Sequence, residues 1–160
     1  MILRFIQGRS WISRLIVAQE KTAMPFTPSH VEALTPDGKF YLGAHISGGV
    51  MKRPIGYDDG QNRYQLLLTL TATPEQEQLF HDYLAKFVGE PYDWRAIIGF
   101  VLPRHEHDVG HAICSALITL ALRHCRWFEY PLAAPAHLID PRDLLLMVSA
   151  RMQVPLAGSA

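Results

Sequence analysis

The residues best suited to covalent chemistry are Cys114 and His30. Cys114 lies in Gly110-His-Ala-Ile-Cys-Ser-Ala-Leu-Ile-Thr-Leu-Ala-Leu122, where a polar, glycine-marked stretch gives way to apolar residues at helical spacing. His30 and Glu32 lie in the strand-like run Ser29-His-Val-Glu-Ala-Leu34. Only a thiolate attacks a carbonyl well, and a free thiol is mostly protonated at neutral pH. The first turn of a helix offers unpaired N–H groups and about half a positive charge, both of which favour the thiolate. An imidazole can take the thiol proton, and a third polar group can hold that imidazole in the useful tautomer. The competing reading is that Cys114 is a small core residue, the commonest use of cysteine in a helix.

A second group of chemically capable residues precedes the cysteine. Arg104-His-Glu-His-Asp-Val-Gly-His111 holds three histidines and two carboxylates. A zinc site from His105, His107, His111 and Cys114 can be drawn, but it lacks a Cys-x-x-Cys or His-Glu-x-x-His spacing, and loop histidines are more often solvated. The expectation is therefore no metal and no organic cofactor, with this loop at the rim of a cleft and His107 or His111 touching substrate. Tyr92, Asp93 and Trp94 form a second candidate contact. Capping the segment that starts near Arg95 is the simpler role for Asp93, and a core position near the Cys helix the simpler one for Trp94. Arg14 reads as a solvated side chain. Cys125, between His124 and Arg126 near a helix end, reads as structural because the dipole there opposes a thiolate.

These residues need elements to position them. At 160 residues the chain is long enough for one domain with a real core, expected over 1–160 with 151–160 frayed. Met1 to Ile6 reads as a strand, and Ser10 as the cap of a helix over Trp11 to Ala18. His30 to Leu34 and Phe40 to Ile46 form a hairpin around Thr35-Pro-Asp-Gly38, where glycine supplies a positive φ. Val50 to Pro54 resumes a strand, and Tyr64 to Thr71 reads as a buried one. Thr73-Pro-Glu-Gln76 starts a helix with Leu79, Phe80, Tyr83, Leu84 and Phe87 on one face, stopped by Gly89. Arg95 to Val101 suits helix or strand, and Pro103 to Gly110 a loop. The cysteine helix then covers 112 to 124, and Asp140-Pro-Arg-Asp143 opens a last helix to about Ala150.

Composition narrows the function. Fifteen basic and fifteen acidic residues leave no net charge, against a phosphate-binding nucleic-acid partner. Two cysteines are too few for a disulfide framework, and about 16 Å of helix would separate them, so free thiols are expected. No run approaches the ~20 apolar residues of a spanning helix, and no signal peptide is read at the start, so the default is a cytoplasmic, soluble chain without stable membrane insertion.

The order of these segments resembles a known family. Ser29-His-Val-Glu32, Leu42-Gly-Ala-His-Ile-Ser-Gly-Gly-Val50, Pro91-Tyr-Asp-Trp94, Ile113-Cys-Ser115 and the closing Leu138-Ile-Asp-Pro-Arg-Asp143 resemble circularly permuted NlpC-like members of the papain-fold cysteine peptidase superfamily. In that group the histidine strand precedes the cysteine helix, as here. The resemblance spans roughly Ile2 to Met147. It implies an α+β, papain-like fold, a small antiparallel sheet packed against the helix that carries the cysteine. It implies Cys114 as nucleophile, His30 as general base, and an oxyanion hole that includes the Cys114 backbone N–H. The third member is Glu32, two residues after His30 on the same strand face, or His45 on the following strand, whose Gly43 is the nearest match to the relatives' polar position. The implied reaction is hydrolysis or transfer at an amide, ester or thioester through an acyl-enzyme. The leading substrate is a small peptide or peptidoglycan fragment. The rivals are a non-catalytic binding or structural protein on the same fold, such as a phage-derived component, and a lipid-acyl hydrolase or transferase. Neither the scissile bond nor the oligomeric state can be read from these residues.

Overall fold

A computed structural model describes residues 1–8, 26–45, 48–89 and 109–153, and for 109–113 and 153 the backbone alone. Five strands, β1 (Ile2–Gly8), β2 (His30–Leu34), β3 (Phe40–His45), β4 (Gly49–Pro54) and β5 (Asn62–Thr69), form one antiparallel sheet in the order β4-β3-β2-β1-β5. Among the described residues three helices follow: α1 (Pro74–Ala85), α2 (Val109–His124) and α3 (Pro141–Gln153), with a 3-10 turn at Ala136–Leu138 between the last two. This is a small α+β domain whose sheet packs against helices, one of which bears Cys114.

Strand alternation divides the sheet into two unlike faces. Leu3 and Phe5 of β1, Val31 and Ala33 of β2, Leu42 and Ala44 of β3, and Val50 of β4 meet α2 through Cys114, Leu117, Ile118, Ala121 and Leu122. Burying each large apolar side chain contributes about 1.5–3 kcal/mol, so this layer fixes α2 against β2 and β3. The intervening residues, Arg4, His30, Glu32, Gly43 and His45, belong to the opposite set.

Local chemistry sets the ends of the elements. In the β2–β3 hairpin, the Thr35 N–H donates to the Phe40 carbonyl at 2.9 Å, and Gly38 takes φ +67° in the turn. Thr73 caps α1 in a reciprocal box: the Gln76 N–H donates to Thr73 Oγ1, and the Thr73 N–H donates to Gln76 Oε1, each at 3.1 Å. Phe80 and Leu84 are buried, and Tyr83 and Phe87 pack at the core's edge. Leu79 is 38% exposed and leaves the expected apolar face. Asp140 caps α3, its Oδ1 accepting from the Asp143 N–H at 2.7 Å.

Three expectations need correction. β5 is not a buried strand: Tyr64 is 51%, Leu66 38% and Leu67 52% exposed. It pairs with β1 at one end of the sheet, so Tyr64, Leu66 and Leu67 reflect strand preference, while Leu68 alone of its leucines packs against the core. α3 runs on to Gln153, past the expected end at about Ala150; Arg151 lies 4.7 Å over the Trp127 ring in the last turn. α2 begins at Val109, so Val109 and Gly110 are helical rather than loop. The expected helix over Trp11 to Ala18, the segment Arg95 to Val101 and residues 154–160 lie outside the described residues. No helix among the described residues is long and apolar enough to cross a membrane.

Candidate functional site

The polar face of the sheet is built around one buried carboxylate. Arg4 of β1 stands opposite Glu32 of β2 in the strand register, and their side chains are 3% and 0% exposed. Arg4 Nη1 donates to Glu32 Oε1 and Nη2 to Asp58 Oδ1, each at 2.8 Å, while Nε donates to Gln65 Oε1 at 3.0 Å. The guanidinium carbon also lies 4.4 Å from the centre of the Tyr41 ring. Asp58 is held in turn by Asn62 Nδ2 at 2.7 Å, and the Tyr57 hydroxyl donates to Glu32 Oε2 at 3.1 Å. Every oxygen of the two carboxylates therefore accepts a hydrogen bond.

This network fixes the ionisation of its members. Burial alone would raise the Glu32 carboxyl, but His30 and the Arg4 guanidinium hold it below the ordinary carboxylate range. Asp58 follows the same pattern, its burial outweighed by Arg4 and Asn62. Burial and the two carboxylates push the Tyr57 phenol well above its usual range, so it stays a neutral donor to Glu32.

Gly43 is the residue of β3 that lies over Glu32. A Cβ at position 43 would fall 2.9 Å from Glu32 Cβ, closer than real side chains approach. Gly43→Ala should therefore displace Glu32 from the Arg4 fork and cost about 1–3 kcal/mol, read as a lowered urea midpoint. An unchanged midpoint would mean that the two strands part without strain.

Two imidazoles flank the carboxylate. His30, the first residue of β2, places Nε2 3.5 Å from Glu32 Oε2, and His45, the last residue of β3, places its Nε2 3.8 Å from the same oxygen. The rings lie 4.8 Å apart. The two histidines titrate in opposite directions. Burial disfavours a charged His30, but the charge of Cys114, a hydrogen bond with Cys114 and the Glu32 carboxylate outweigh it and raise the pKa to about 10. Burial, His30 and Arg53 lower His45 to about 4, and Glu32 offsets them only in part.

These shifts carry a stability signature. A pKa raised from 6.5 to about 10 gives His30 a contribution that is complete below pH 6.5 and lost as pH rises towards 10. A pKa lowered from 6.5 to about 4 gives His45 a contribution present above pH 6.5 and lost as pH falls towards 4. Urea midpoints measured across pH 4–10 should fall on both sides of pH 6.5. His30→Gln should flatten the alkaline limb, and an alkaline limb that survives the substitution would reject the assignment.

The structure thus gathers His30, Glu32 and His45 and connects His30 to Cys114. Of the two neighbours of His30, Glu32 lies at 3.5 Å and is held below the ordinary carboxylate range, whereas His45 is lowered to about 4. The electrostatic argument from the helix start changes. With α2 starting at Val109, Cys114 is its sixth residue and lies beyond the first turn. The macrodipole is strongest within that turn, so it contributes little at Cys114. The Cys114 backbone N–H belongs to the intrahelical ladder rather than to the unpaired set from which an oxyanion hole is drawn. Cys114 itself is fully buried and belongs to the apolar core cluster. Cys125 is buried too; its thiol donates to the Leu122 carbonyl at 3.4 Å, and burial raises its pKa.

Tyr92, Asp93 and Trp94, together with His105 and His107, lie outside the described residues. His111 is within α2, and only its backbone is described. The sequence reading missed Arg4, Tyr57 and Asp58. Arg4 had a signal, since a single arginine inside Ile-Leu-Arg-Phe-Ile must find a buried partner or break the strand's apolar pattern. Tyr57 and Asp58 lie in a turn-rich stretch where nothing local marks them out. No protein-family model, curated protein or solved structure matches the chain.

Proposed function

We propose that the chain is a thiol hydrolase of the circularly permuted NlpC-like papain fold, acting on an amide-like bond through an acyl-enzyme on Cys114. The observation that carries this reading is His30, hydrogen-bonded to Cys114 and facing the Glu32 carboxylate at 3.5 Å. The element order supports it as well, with the histidine strand β2 ahead of the cysteine helix α2.

The roles follow from the geometry. His30 takes the Cys114 proton, and the sulfur attacks the carbonyl carbon to give a tetrahedral oxyanion. His30 returns the proton to the leaving amine as the carbon–nitrogen bond breaks. Water, with its proton taken by His30, then cleaves the thioester and frees the acid and Cys114. Glu32 stabilises the imidazolium formed twice in this cycle and is itself kept ionised by Arg4 and Tyr57. The donors for the oxyanion come from groups other than the helical N–H of Cys114. Peptidoglycan-derived peptides are the substrate class that the resemblance implies, and an active site of this design also accepts esters.

One observation favours the second reading, a non-catalytic protein on the same scaffold: Cys114 is closed to solvent. An acylation experiment separates the two. The Cys125→Ser protein is mixed with p-nitrophenyl acetate, and the chain is weighed intact and after digestion. A burst of nitrophenol with one acetyl group on the Cys114 peptide, absent in Cys114→Ala, is the expected result. A folded protein that gains no acetyl group at Cys114 would reject the acyl-enzyme and establish the second reading.

A further inference from the structure

We propose that His30, His45 and Glu32 form a binding site for a zinc-class divalent cation, which withdraws His30 from the thiol when bound. Its ligands are other residues than the histidines of the run Arg104 to His111. Among the described residues, His30 Nε2 and His45 Nε2 are both buried nitrogens without a hydrogen-bond partner. Both face the same oxygen, Glu32 Oε2, at 3.5 and 3.8 Å. The His45 side chain is 9% exposed, so water has little access to its idle nitrogen. A buried polar atom without a hydrogen-bond partner is costly, and a metal–nitrogen bond to each imidazole would remove that cost.

The donor set and its spacing suit the ion. Two imidazoles and a carboxylate are zinc ligands, with bonds of about 2.0–2.2 Å that place tetrahedral donors about 3.3 Å apart. The three donor atoms here lie within 4.8 Å of one another, so side-chain rotations of about an ångström close the site without moving the strands. Strand pairing fixes the three Cα positions, His30 opposite Ile6, Glu32 opposite Arg4 and His45 opposite Gly49, as a ligand site requires. Glu32 is already oriented from outside, by Arg4 Nη1 at 2.8 Å on one oxygen and the Tyr57 hydroxyl at 3.1 Å on the other. Charge is favourable once the ion has displaced the His30 proton: Arg4 offsets one of the two carboxylates, Glu32 and Asp58, and leaves a negative centre for a dication. The ion takes a lone pair from each imidazole, so it displaces any proton on those nitrogens. His30 bound in this way no longer accepts the Cys114 proton. That block rests on the acyl-enzyme reading, whereas the metal site itself does not.

The test is a titration of the chelator-stripped full chain with Zn(II) in competition with a chromogenic zinc indicator. Wild type, His45→Ala, His45→Gln, Tyr57→Phe and Cys114→Ala are compared, with circular dichroism confirming the fold of each. One ion per wild-type chain, about 100-fold weaker in both His45 variants, about 10-fold weaker in Tyr57→Phe and retained in Cys114→Ala, is expected. No ion bound to folded wild type, or an affinity indifferent to His45 and Tyr57, would overturn the site. Acylation of the metal-free protein is scored separately, so a failed acyl-enzyme leaves the zinc result standing and a failed titration leaves the acyl-enzyme standing.

Discussion

Arg4→Met is expected to destabilise the domain by about 3–5 kcal/mol, the cost of leaving buried charge without its partner. Arg4 is 3% exposed and serves Glu32 and Asp58 through separate nitrogens of one fork, each at 2.8 Å. Methionine fills much of the same volume, so the loss isolates charge from packing. Glu32, fully buried, then keeps only the Tyr57 hydroxyl and the neighbouring imidazole, and part of the cost is met by taking up a proton. Arg4→Lys should recover little, because an ammonium cannot span two carboxylates as a planar fork does. The control is a double change. In a Glu32→Gln, Asp58→Asn background the carboxylates are gone, and Arg4→Met should cost much less. Urea unfolding of the four proteins gives the coupling directly. A loss under about 1 kcal/mol in the native background would place the trio in the solvated regime of surface ion pairs and remove its positioning role.

That network also shows where a single sequence stops being informative. The hairpin, the capped start of α1 and the Asp140 cap of α3 follow from local rules acting within a few residues, and the structure has each of them. Local rules failed where a distant partner decides. Tyr64 to Thr69 has the composition of a buried strand, yet it lies at the end of the sheet order, which no residue within it encodes. Val109 and Gly110 read as loop because glycine is a poor helix former, yet α2 already includes them, and the propensity cost of a glycine is only about 1 kcal/mol. The candidate site divides in the same way. His30 and Glu32 were legible as a pair because a strand places i and i+2 on one face. His45 was legible as their neighbour through the hairpin. The Arg4–Asp58 link joins residues 54 apart and depends on β1 pairing with both β2 and β5. Alternation in β1 predicts that Arg4 leaves the apolar face, but not what it meets there.

His30→Ala is expected to lower acyl transfer by about 10²–10⁴-fold, the range for loss of a positioned general base. The size of the effect follows from how much converges on one ring: Cys114 and Glu32 together raise the His30 pKa to about 10, so the ring firmly holds the proton it takes from the thiol. The same substitution should slow iodoacetamide labelling of Cys114 at pH 7 by about tenfold or more in a Cys125→Ser background, because the thiol loses the group that takes its proton. Burial of Cys114 slows reagent entry, and His30→Gln, which keeps most of the ring's volume, separates loss of the imidazole from a change in access. Comparison with the two neighbours settles the third role. Glu32→Gln keeps the shape and hydrogen-bonding reach of the side chain while removing the charge that stabilises the imidazolium, and should lose on the order of 10²-fold or more in acyl transfer. His45→Ala removes a ring held neutral at 3.8 Å from that carboxylate and should change acyl transfer only a few-fold by comparison. A large loss in His45→Ala with Glu32→Gln nearly unaffected would transfer the orienting role to the second imidazole. Labelling indifferent to His30 across pH 6–9 would make Cys114 a core residue, and the charge on His30 a matter of stability alone.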